Sequence, residues 1–351
     1  MVETLPRTTA PSLSRHHAGR KSGPLPTAGV RKRYWIVLGI LIVLATGFGF
    51  GLLAWDNPMP VGTPGFWRIA ELRATSIVVM AIVAICQAMA TVSFQTATNN
   101  RIITPSIMGF ESLFVAVQTC AVFFMGAAGV VMMAGVPQFI LQIVVMVGLS
   151  MALYGWLLSG RYGNLQIMLL VGIVIGGGLG SISVFMQRLL SPGNFDILTA
   201  RLFGSVSNAD PGYLPIAIPL CLAAGTLLLL NAKRLNIIAL GADTSTNLGL
   251  NHRFEVMRVL FLVSILMATS TALVGPMTFL GFLVATLAYQ LADTYDHKYV
   301  FPVAVLVGFV VLSGAYFVMK NVFYAQGVVS IIIEAVGGTL FLFFILRKGR
   351  L

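Results

Sequence analysis

Two carboxyl side chains lie inside long apolar stretches of this 351-residue chain, where an ionisable group could do chemistry. Glu111 follows the polar stretch TATNNRIITPSIMGF, and Glu334 lies within VVSIIIEAVGG. A charge inside a membrane is costly unless it is paired or hydrated, so such residues often mark a transport path or a proton relay. Glu111, near a predicted helix N-terminus, fits a structural role as well as a functional one. Glu334 either faces a translocation path or hydrogen-bonds a neighbouring helix.

Other chemically active residue types show no catalytic or metal-binding pattern. The cysteines lie in apolar stretches, where a thiol packs as a small hydrophobe, and the histidines lack ligand-like spacing. These residues are Cys86, Cys120, Cys221, His16, His17, His252 and His297. The segment DTYDH, 293–297, allows a metal site or, alternatively, a solvated loop or helix cap. The sequence contains no G-x-x-x-x-G-K-[ST] motif, so any ATP-driven work requires a partner.

A glycine series lies within one apolar stretch and does not resemble a phosphate loop in context. Its members are Gly172, Gly176, Gly177, Gly178 and Gly180. Small residues four apart let membrane helices approach closely. Close helix packing is one interpretation, and a flexible or pore-lining role, in particular for Gly176 and Gly177, is the other.

The composition identifies the elements that must position these residues. With 58% hydrophobic and 9% charged residues, the chain is an integral membrane protein. A membrane-spanning helix needs roughly 20 apolar residues, and continuous apolar runs predict helices rather than a barrel. An all-α fold with about ten spans is predicted, at 34–55, 74–98, 105–127, 136–158, 164–187, 212–231, 257–275, 278–292, 299–319 and 327–346.

The basic residues predict the orientation of this bundle. Lys and Arg are retained on the cytoplasmic side of short loops. With a cytoplasmic N-terminus, all but five of the 22 Lys and Arg residues fall inside; the exceptions are Arg68, Arg73, Arg188, Arg201 and Lys320. Both termini are therefore predicted to be cytoplasmic. The net charge of +11 reflects the tail and inner loops and requires no nucleic-acid partner.

The chain is predicted to contain two regions: a disordered, basic cytoplasmic tail over 1–33 and a transmembrane domain over 34–351. A secretory signal is the alternative for the N-terminal region, although no small-residue cleavage site follows the first apolar run. Within the domain, the turn with Pro105 and Gly109 is matched by the turn with Pro276 and Gly281. The two turns lie on opposite sides of the membrane, which is the pattern of an inverted repeat.

Three segments carry a resemblance to a known family. FQTATNNRIITPSIMGFESL, 94–113, resembles the signature of the iron-siderophore permeases of the FecCD, or vitamin B12-type, family, and its wording is closest to the ferric anguibactin and petrobactin branch. The blocks 273–302 and 328–348 are similar to the family's GPIGFVGLIVPH block and its final helix with paired glycines. Departures include Ala285 and Thr286 in place of Pro-His, and Lys298 in place of an arginine.

The resemblance implies a type II ABC importer permease fold. In that family two permease chains line one path, two cytoplasmic ATPases drive it and a binding protein delivers substrate. The segment LGADTSTNLGLN, within the loop 231–257, matches the family's ATPase-coupling segment. The implied coupling residues are Leu240, Gly241, Asp243, Ser245, Leu248 and Gly249. A solvated loop with glycine caps is the alternative.

The resemblance also implies roles at the outer face and a function. Arg68 and Arg73 are expected to receive acidic residues of the binding protein, with headgroup snorkelling as the alternative. The chain is expected to be a non-catalytic permease, without a cofactor, that imports a ferric siderophore across a bacterial plasma membrane. The branch implies pairing with a related second permease. Haem or cobalamin import, an ion-coupled secondary transporter and an intramembrane enzyme are the alternatives, and the sequence contains no signature of the last two.

Overall fold

The computed structural model describes residues 23–55, 59–132, 135–159, 165–206, 209–322 and 329–348. In these ranges the chain is helical, with a π-helical turn at Ser106–Phe110 and a 3-10 turn at Pro211–Tyr213. The α-helices are α1 Ala28–Ala54, α2 Pro64–Ala97, α3 Glu111–Met132, α4 Val136–Ser159, α5 Leu165–Arg188, α6 Pro192–Leu202, α7 Leu214–Leu230, α8 Ala232–Ile238, α9 Ala242–Asn247, α10 His252–Val274, α11 Leu280–Ala292, α12 His297–Asn321 and α13 Val329–Lys348.

Each of the ten predicted spans falls on one of these helices. Among the described residues, eight apolar stretches are long enough to cross a membrane, and α11 and α13 supply two shorter ones. The all-α, multi-span fold is therefore confirmed. The short helices α6 and α8 lie between spans and were not predicted, because the hydropathy pattern detects only length and apolarity. Helix α9 lies where the family resemblance implies a short helix, between Leu240-Gly241 and Leu248-Gly249.

Two helices begin earlier than predicted. Thr27 caps α1, since its Oγ1 accepts a hydrogen bond from Val30 N at 3.2 Å, so the last residues of the predicted 1–33 tail are helical; its first 22 residues lie outside the described part. Thr63 caps α2, with Pro64 in its first turn. Arg68 and Arg73, expected just before the second span, therefore lie within α2. Cap residues, rather than hydropathy, decide these starts.

The packing supports the inverted repeat. Helices α2 and α10 cross at the centre of the bundle; α2 packs on α12, and α10 packs on α4. If α2–α5 and α10–α13 are the two repeats, α2 corresponds to α10 and α4 corresponds to α12. The contact of α2 with α12 is then equivalent to the contact of α10 with α4. The buried interface of the central pair is polar as well as apolar, because Gln87 Nε2 donates to Ser270 Oγ at 3.2 Å.

Each repeat also contains a backbone break that packs on the last helix of the same repeat. Gly109, with φ of +103°, lies against Gly176 of α5, where an added Cβ on Gly176 would meet the Gly109 Cα at 2.9 Å. In the second repeat, Phe279 precedes α11 and lies against Gly337 of α13, whose Cβ would meet the Phe279 Cβ at 2.7 Å. Irregular backbone at membrane depth must be buried in protein or line a cavity, and glycine permits the close approach.

Candidate functional site

The loop between α7 and α10 presents an exposed apolar surface at one end of the bundle. Within it, α9 is bounded by Gly241 and Gly249, whose φ angles of +94° and +85° are readily adopted only by glycine. Leu240 and Leu248 flank this helix and are each 58% exposed. We call residues 240–249 the coupling segment. Two leucines held in water on a glycine-bounded helix form a small surface suited to a protein partner.

Ser245 differs from the other predicted coupling residues because it is buried. Its Oγ donates to Ala242 O at 3.0 Å and lies 2.7 Å from His252 Nδ1. Asp243, in contrast, is exposed in the first turn of α9. Ser245 therefore holds the shape of the coupling segment, whereas Leu240, Asp243 and Leu248 are available on its surface.

A buried carboxylate fastens this loop to α10. Glu255 is almost fully buried, and its two oxygens each lie 2.6 Å from an arginine nitrogen, one from Arg234 of α8 and one from Arg258 of α10. Arg258 also donates to Asn231 Oδ1 at 2.8 Å. A buried carboxylate is retained only when paired in this way. The two arginines therefore tie the start of the loop to α10.

A second network joins α8 to α12 and α2. Asn236 donates through Nδ2 to Asp296 Oδ1 at 2.9 Å, and its Oδ1 accepts from His297 N at 3.1 Å. These two bonds fix the orientation of the Asn236 amide and make its Oδ1 an acceptor. His297 Nδ1 lies 2.5 Å from this oxygen and must therefore carry a proton. The other ring nitrogen, His297 Nε2, lies 2.6 Å from Thr96 Oγ1. These contacts link α8 to two membrane helices, α12 and α2.

The DTYDH segment thus acts as a helix cap. Asp296 Oδ1 accepts from Lys298 N at 3.0 Å at the start of α12, and the His297 nitrogens are used in the network above. Among the described residues, no group of three His, Cys, Asp or Glu side chains could hold a metal ion. The cap interpretation, one of the two left open by the sequence, fits these contacts.

The polar stretch after α2 forms a closed loop on itself. Asn99 adopts a positive φ of 48°, and Asn100 Oδ1 accepts from Ile102 N at 2.9 Å. Gln95 Nε2 donates to Arg101 O at 2.7 Å, and the Arg101 guanidinium lies 4.6 Å from the centroid of the Tyr289 ring in α11. Asn100 therefore satisfies a loop backbone group as predicted, Asn99 supplies the left-handed turn conformation, and Arg101 adds a contact between the repeats.

Glu111 connects the two backbone breaks. It lies directly after the break at Gly109, and its Oε2 accepts a hydrogen bond from Thr278 Oγ1, in the break before α11, at 2.5 Å. The other carboxyl oxygen is buried without a hydrogen bond of good geometry. Glu111 thus holds the two repeats together, which accounts for a polar residue at this depth.

Glu334 and Gly177 lie on the surface of the single chain. Glu334 is exposed on α13. Gly177 is exposed on α5, with no atom within 4 Å of an added Cβ, whereas its neighbour Gly176 packs on Gly109. The four predicted path residues therefore lie around the breaks, but two are packed inside the bundle and two face outward.

The outer arginines have different surroundings. Arg68 is exposed on α2. Arg73 is half-buried, and its Nη1 donates to Trp55 O at 2.6 Å and to Leu53 O at 3.2 Å, at the C-terminal end of α1. The carbonyls at a helix C-terminus lack partners within the helix, and a cation there is favourable. Arg73 therefore caps α1, and Arg68 is the freely accessible member of the predicted docking pair.

We expect Arg68→Ala and Arg73→Ala to have separable effects. Arg68→Ala should weaken binding-protein affinity about 3-fold at low salt, with a smaller effect at high salt, because an exposed ion pair contributes little and is screened. Arg73→Ala should lower the thermal unfolding midpoint by several degrees, since a charged cap contributes about 0.3–2 kcal/mol. Affinity measured across salt concentrations and unfolding in nanodiscs would check this. Equal effects of both changes on affinity alone would contradict it.

The sequence did not predict the residues that anchor the coupling segment. Glu255 and Asn236 lie in polar stretches without any motif. Arg234, a partner of Glu255, is 21 residues away along the chain, and Asp296, the partner of Asn236 at the α12 cap, is 60 residues away. An acidic residue in the first turn of a helix, between two arginines, was the available signal for Glu255. For Asn236 no local signal exists.

Comparison with known proteins agrees with this geometry. The family model described as the FecCD transport family matches residues 36–347. The petrobactin import system permease protein FatC of Bacillus anthracis is 52% identical, with 96% of each chain covered. The petrobactin import system permease protein YclO of Bacillus subtilis is 35% identical, over 90% of this chain and 97% of that protein.

The fold is also found among solved structures. A metal-chelate type ABC transporter in an inward-facing conformation superposes with a TM-score of 0.76, covering 90% of this chain and 99% of that one. At 21% sequence identity, this likeness concerns the fold alone.

Proposed function

This chain belongs to the FecCD transport family, and on that premise we propose that it is the membrane permease subunit of an ATP-driven importer for a ferric siderophore. The observation that carries the proposal is the high identity, over nearly the whole chain, to a permease named for petrobactin import. Petrobactin-type ferric chelates are therefore the favoured cargo. Haem and cobalamin are the alternatives within the same architecture.

The coupling segment is the proposed entry point for energy. The sequence has no P-loop motif, so ATP must be hydrolysed by a partner. The exposed Leu240 and Leu248 provide an apolar contact for an ATPase groove. The Glu255 and Asn236 networks would carry its movement to α10, α12 and α2, because they join α8 to these helices through direct side-chain contacts.

The exposed faces of α5 and α13 are proposed to line the path with a second permease chain. A carboxylate on a lipid-facing surface is costly, so Glu334 is better placed toward water or a protein partner. Gly177 is exposed on α5, with no atom within 4 Å of an added Cβ, and so leaves room for cargo. The branch-specific stretch 94–113 favours a related but different second subunit. Full activity of a homodimer would contradict that part of the proposal.

The outer end of the bundle is proposed to receive the binding protein, with both termini in the cytoplasm. The cytoplasmic assignment is supported by the distribution of basic residues. Contacts between residues predicted on one side support their common location. For example, Arg33 pairs with Asp293 at 3.1 Å, and both were assigned to the cytoplasmic end. Arg68 is the proposed docking residue, and Arg73 caps the C-terminal end of α1.

Reconstitution tests this function directly. The permease, its second subunit, the ATPase and the binding protein are placed in proteoliposomes, and uptake of iron-labelled petrobactin, haem and cobalamin is measured with and without ATP. We expect uptake of the ferric siderophore only, and only with ATP and binding protein. Uptake supported by an ion gradient without ATP would overturn the importer proposal in favour of a secondary transporter.

A further inference from the structure

The first turns of α1 carry two cations that no described carboxylate neutralises. Arg31, Lys32 and Arg33 follow one another, and all three are exposed. Arg33 Nη1 lies 3.1 Å from Asp293 Oδ2. The other ion pairs among the described residues involve Glu255, so Arg31 and Lys32 have none there. The first turn of α1 contains no acidic residue, and the positive end of the helix dipole lies beside these cations. An anion is therefore favoured at this place.

Large apolar side chains continue the same face of α1 into the membrane. In a helix, residues three and four positions apart lie on one face. Trp35 follows Arg31 by four positions and Lys32 by three, so it lies one turn further on the same side, and it is 58% exposed. Ile36 and Ile40 continue this side and are 51% and 54% exposed. Cations, then an indole, then aliphatic side chains follow the order from lipid headgroups to acyl chains. We call Arg31, Lys32, Trp35 and Ile36 the basic α1 surface.

Contacts with α12 and with the turn before it hold the basic α1 surface in place. Tyr34 is buried, and its hydroxyl group donates to Tyr299 O at 3.1 Å. Ahead of the helix, Pro24 O accepts a hydrogen bond from Thr294 Oγ1 at 2.7 Å. Lys298, exposed at the start of α12 next to Tyr299, adds a cation at the same end. The cations are therefore presented by a fixed helix, and binding of an anion need not order the backbone.

We propose that the basic α1 surface binds an anionic phospholipid in the leaflet at this end of the bundle. The phosphate lies between Arg31 and Lys32, and the acyl chains lie against Trp35 and Ile36. The apolar residues one turn deeper select a lipid over a soluble anion, because a free phosphate gains nothing from them. The two unpaired cations select an anionic lipid over a zwitterionic one, which brings no net charge to them. The site requires only that α1 spans the membrane, so it does not depend on the proposed transport function.

Quenching of tryptophan fluorescence by brominated lipids measures which lipid lies at Trp35. Trp55, Trp67 and Trp156 are replaced with Phe, which leaves Trp35 as the single tryptophan of the full chain; all three are more than half exposed, so little packing is lost. The chain is reconstituted in phosphatidylcholine vesicles with a minor fraction of brominated phosphatidylglycerol or brominated phosphatidylcholine. We expect phosphatidylglycerol to be preferred by about 5-fold or more at low salt, since one cation near an anionic surface contributes about this factor.

Paired charge variants of this single-tryptophan chain locate the site. Arg31→Gln combined with Lys32→Gln should abolish the preference for phosphatidylglycerol. Lys233→Gln combined with Arg253→Gln is the matched control and should keep the preference. Lys233 and Arg253 are also exposed and were assigned to the same end, so the control makes the same change in net charge on α8 and α10 instead of α1. Folding of both variants is verified by thermal unfolding.

Inorganic phosphate separates a lipid from a soluble anion. Phosphate and chloride at equal ionic strength should weaken the preference equally, since both act only by screening. The proposal is overturned if the two brominated lipids quench Trp35 equally, if the Arg31, Lys32 variant keeps the preference, or if the control variant loses it as well. A loss caused by phosphate and not by chloride would also overturn it, and would assign the cations to a soluble anion.

Discussion

Leu240→Asp combined with Leu248→Asp should reduce ATP-driven uptake about 100-fold while the bundle stays folded. Both side chains are more than half exposed, so the change removes no core packing. At a protein interface, however, an apolar anchor that becomes a buried, unpaired carboxylate costs several kcal/mol, and about 2.7 kcal/mol corresponds to 100-fold. ATPase association, measured by co-purification, should be lost together with uptake, and pairing with the second permease should remain.

The design leaves the glycines of the coupling segment unchanged. Gly241 and Gly249 have positive φ angles, so a side chain at either position would strain the backbone. A loss of uptake could then result from a changed loop conformation as well as from a lost contact with the ATPase. Tyr295→Asp is the matched control, because Tyr295 is a large exposed residue at the same end of the bundle, outside the coupling segment. Unchanged uptake by the double variant, in an intact complex, would mean that energy enters elsewhere.

Gly176→Ala should destabilise the permease strongly, and Gly177→Ala should not. The added Cβ at Gly176 would lie 2.9 Å from the Gly109 Cα, a backbone atom fixed in the first break, whereas the Cβ at Gly177 would meet no atom within 4 Å. Overpacking of this kind costs about 1–3 kcal/mol. In the middle of a helix, alanine is otherwise favoured over glycine by up to about 1 kcal/mol.

Thermal unfolding of both variants in nanodiscs checks this pair. We expect the midpoint to fall by several degrees for Gly176→Ala and to stay level or rise for Gly177→Ala. Because the two glycines are neighbours on one helix, expression and lipid environment are matched. Equal midpoints would show that the first break moves easily, and the close packing of α5 on the break would then not hold the repeat together.

The sequence by itself determined the class of this protein and its ten apolar helices, and a family resemblance placed the proposed coupling segment. These features depend on local properties: apolar runs of membrane length, glycines and polar residues at fixed spacing, and basic residues near the ends of spans. Such properties can be identified from the local sequence, without knowing which residues lie close together in the folded protein. The starts of α1 and α2 were less accurate, because caps decide them.

Only the tertiary structure decided what individual polar residues do. Glu111 meets Thr278 from 167 positions away and thereby joins the repeats, and Arg73 caps another helix instead of being free for a partner. Gln118 Nε2 meets Gln142 Oε1 only when α3 packs against α4. Pairing of this kind depends on which faces of distant helices come together, and that is set by close packing across the whole bundle rather than by any local pattern.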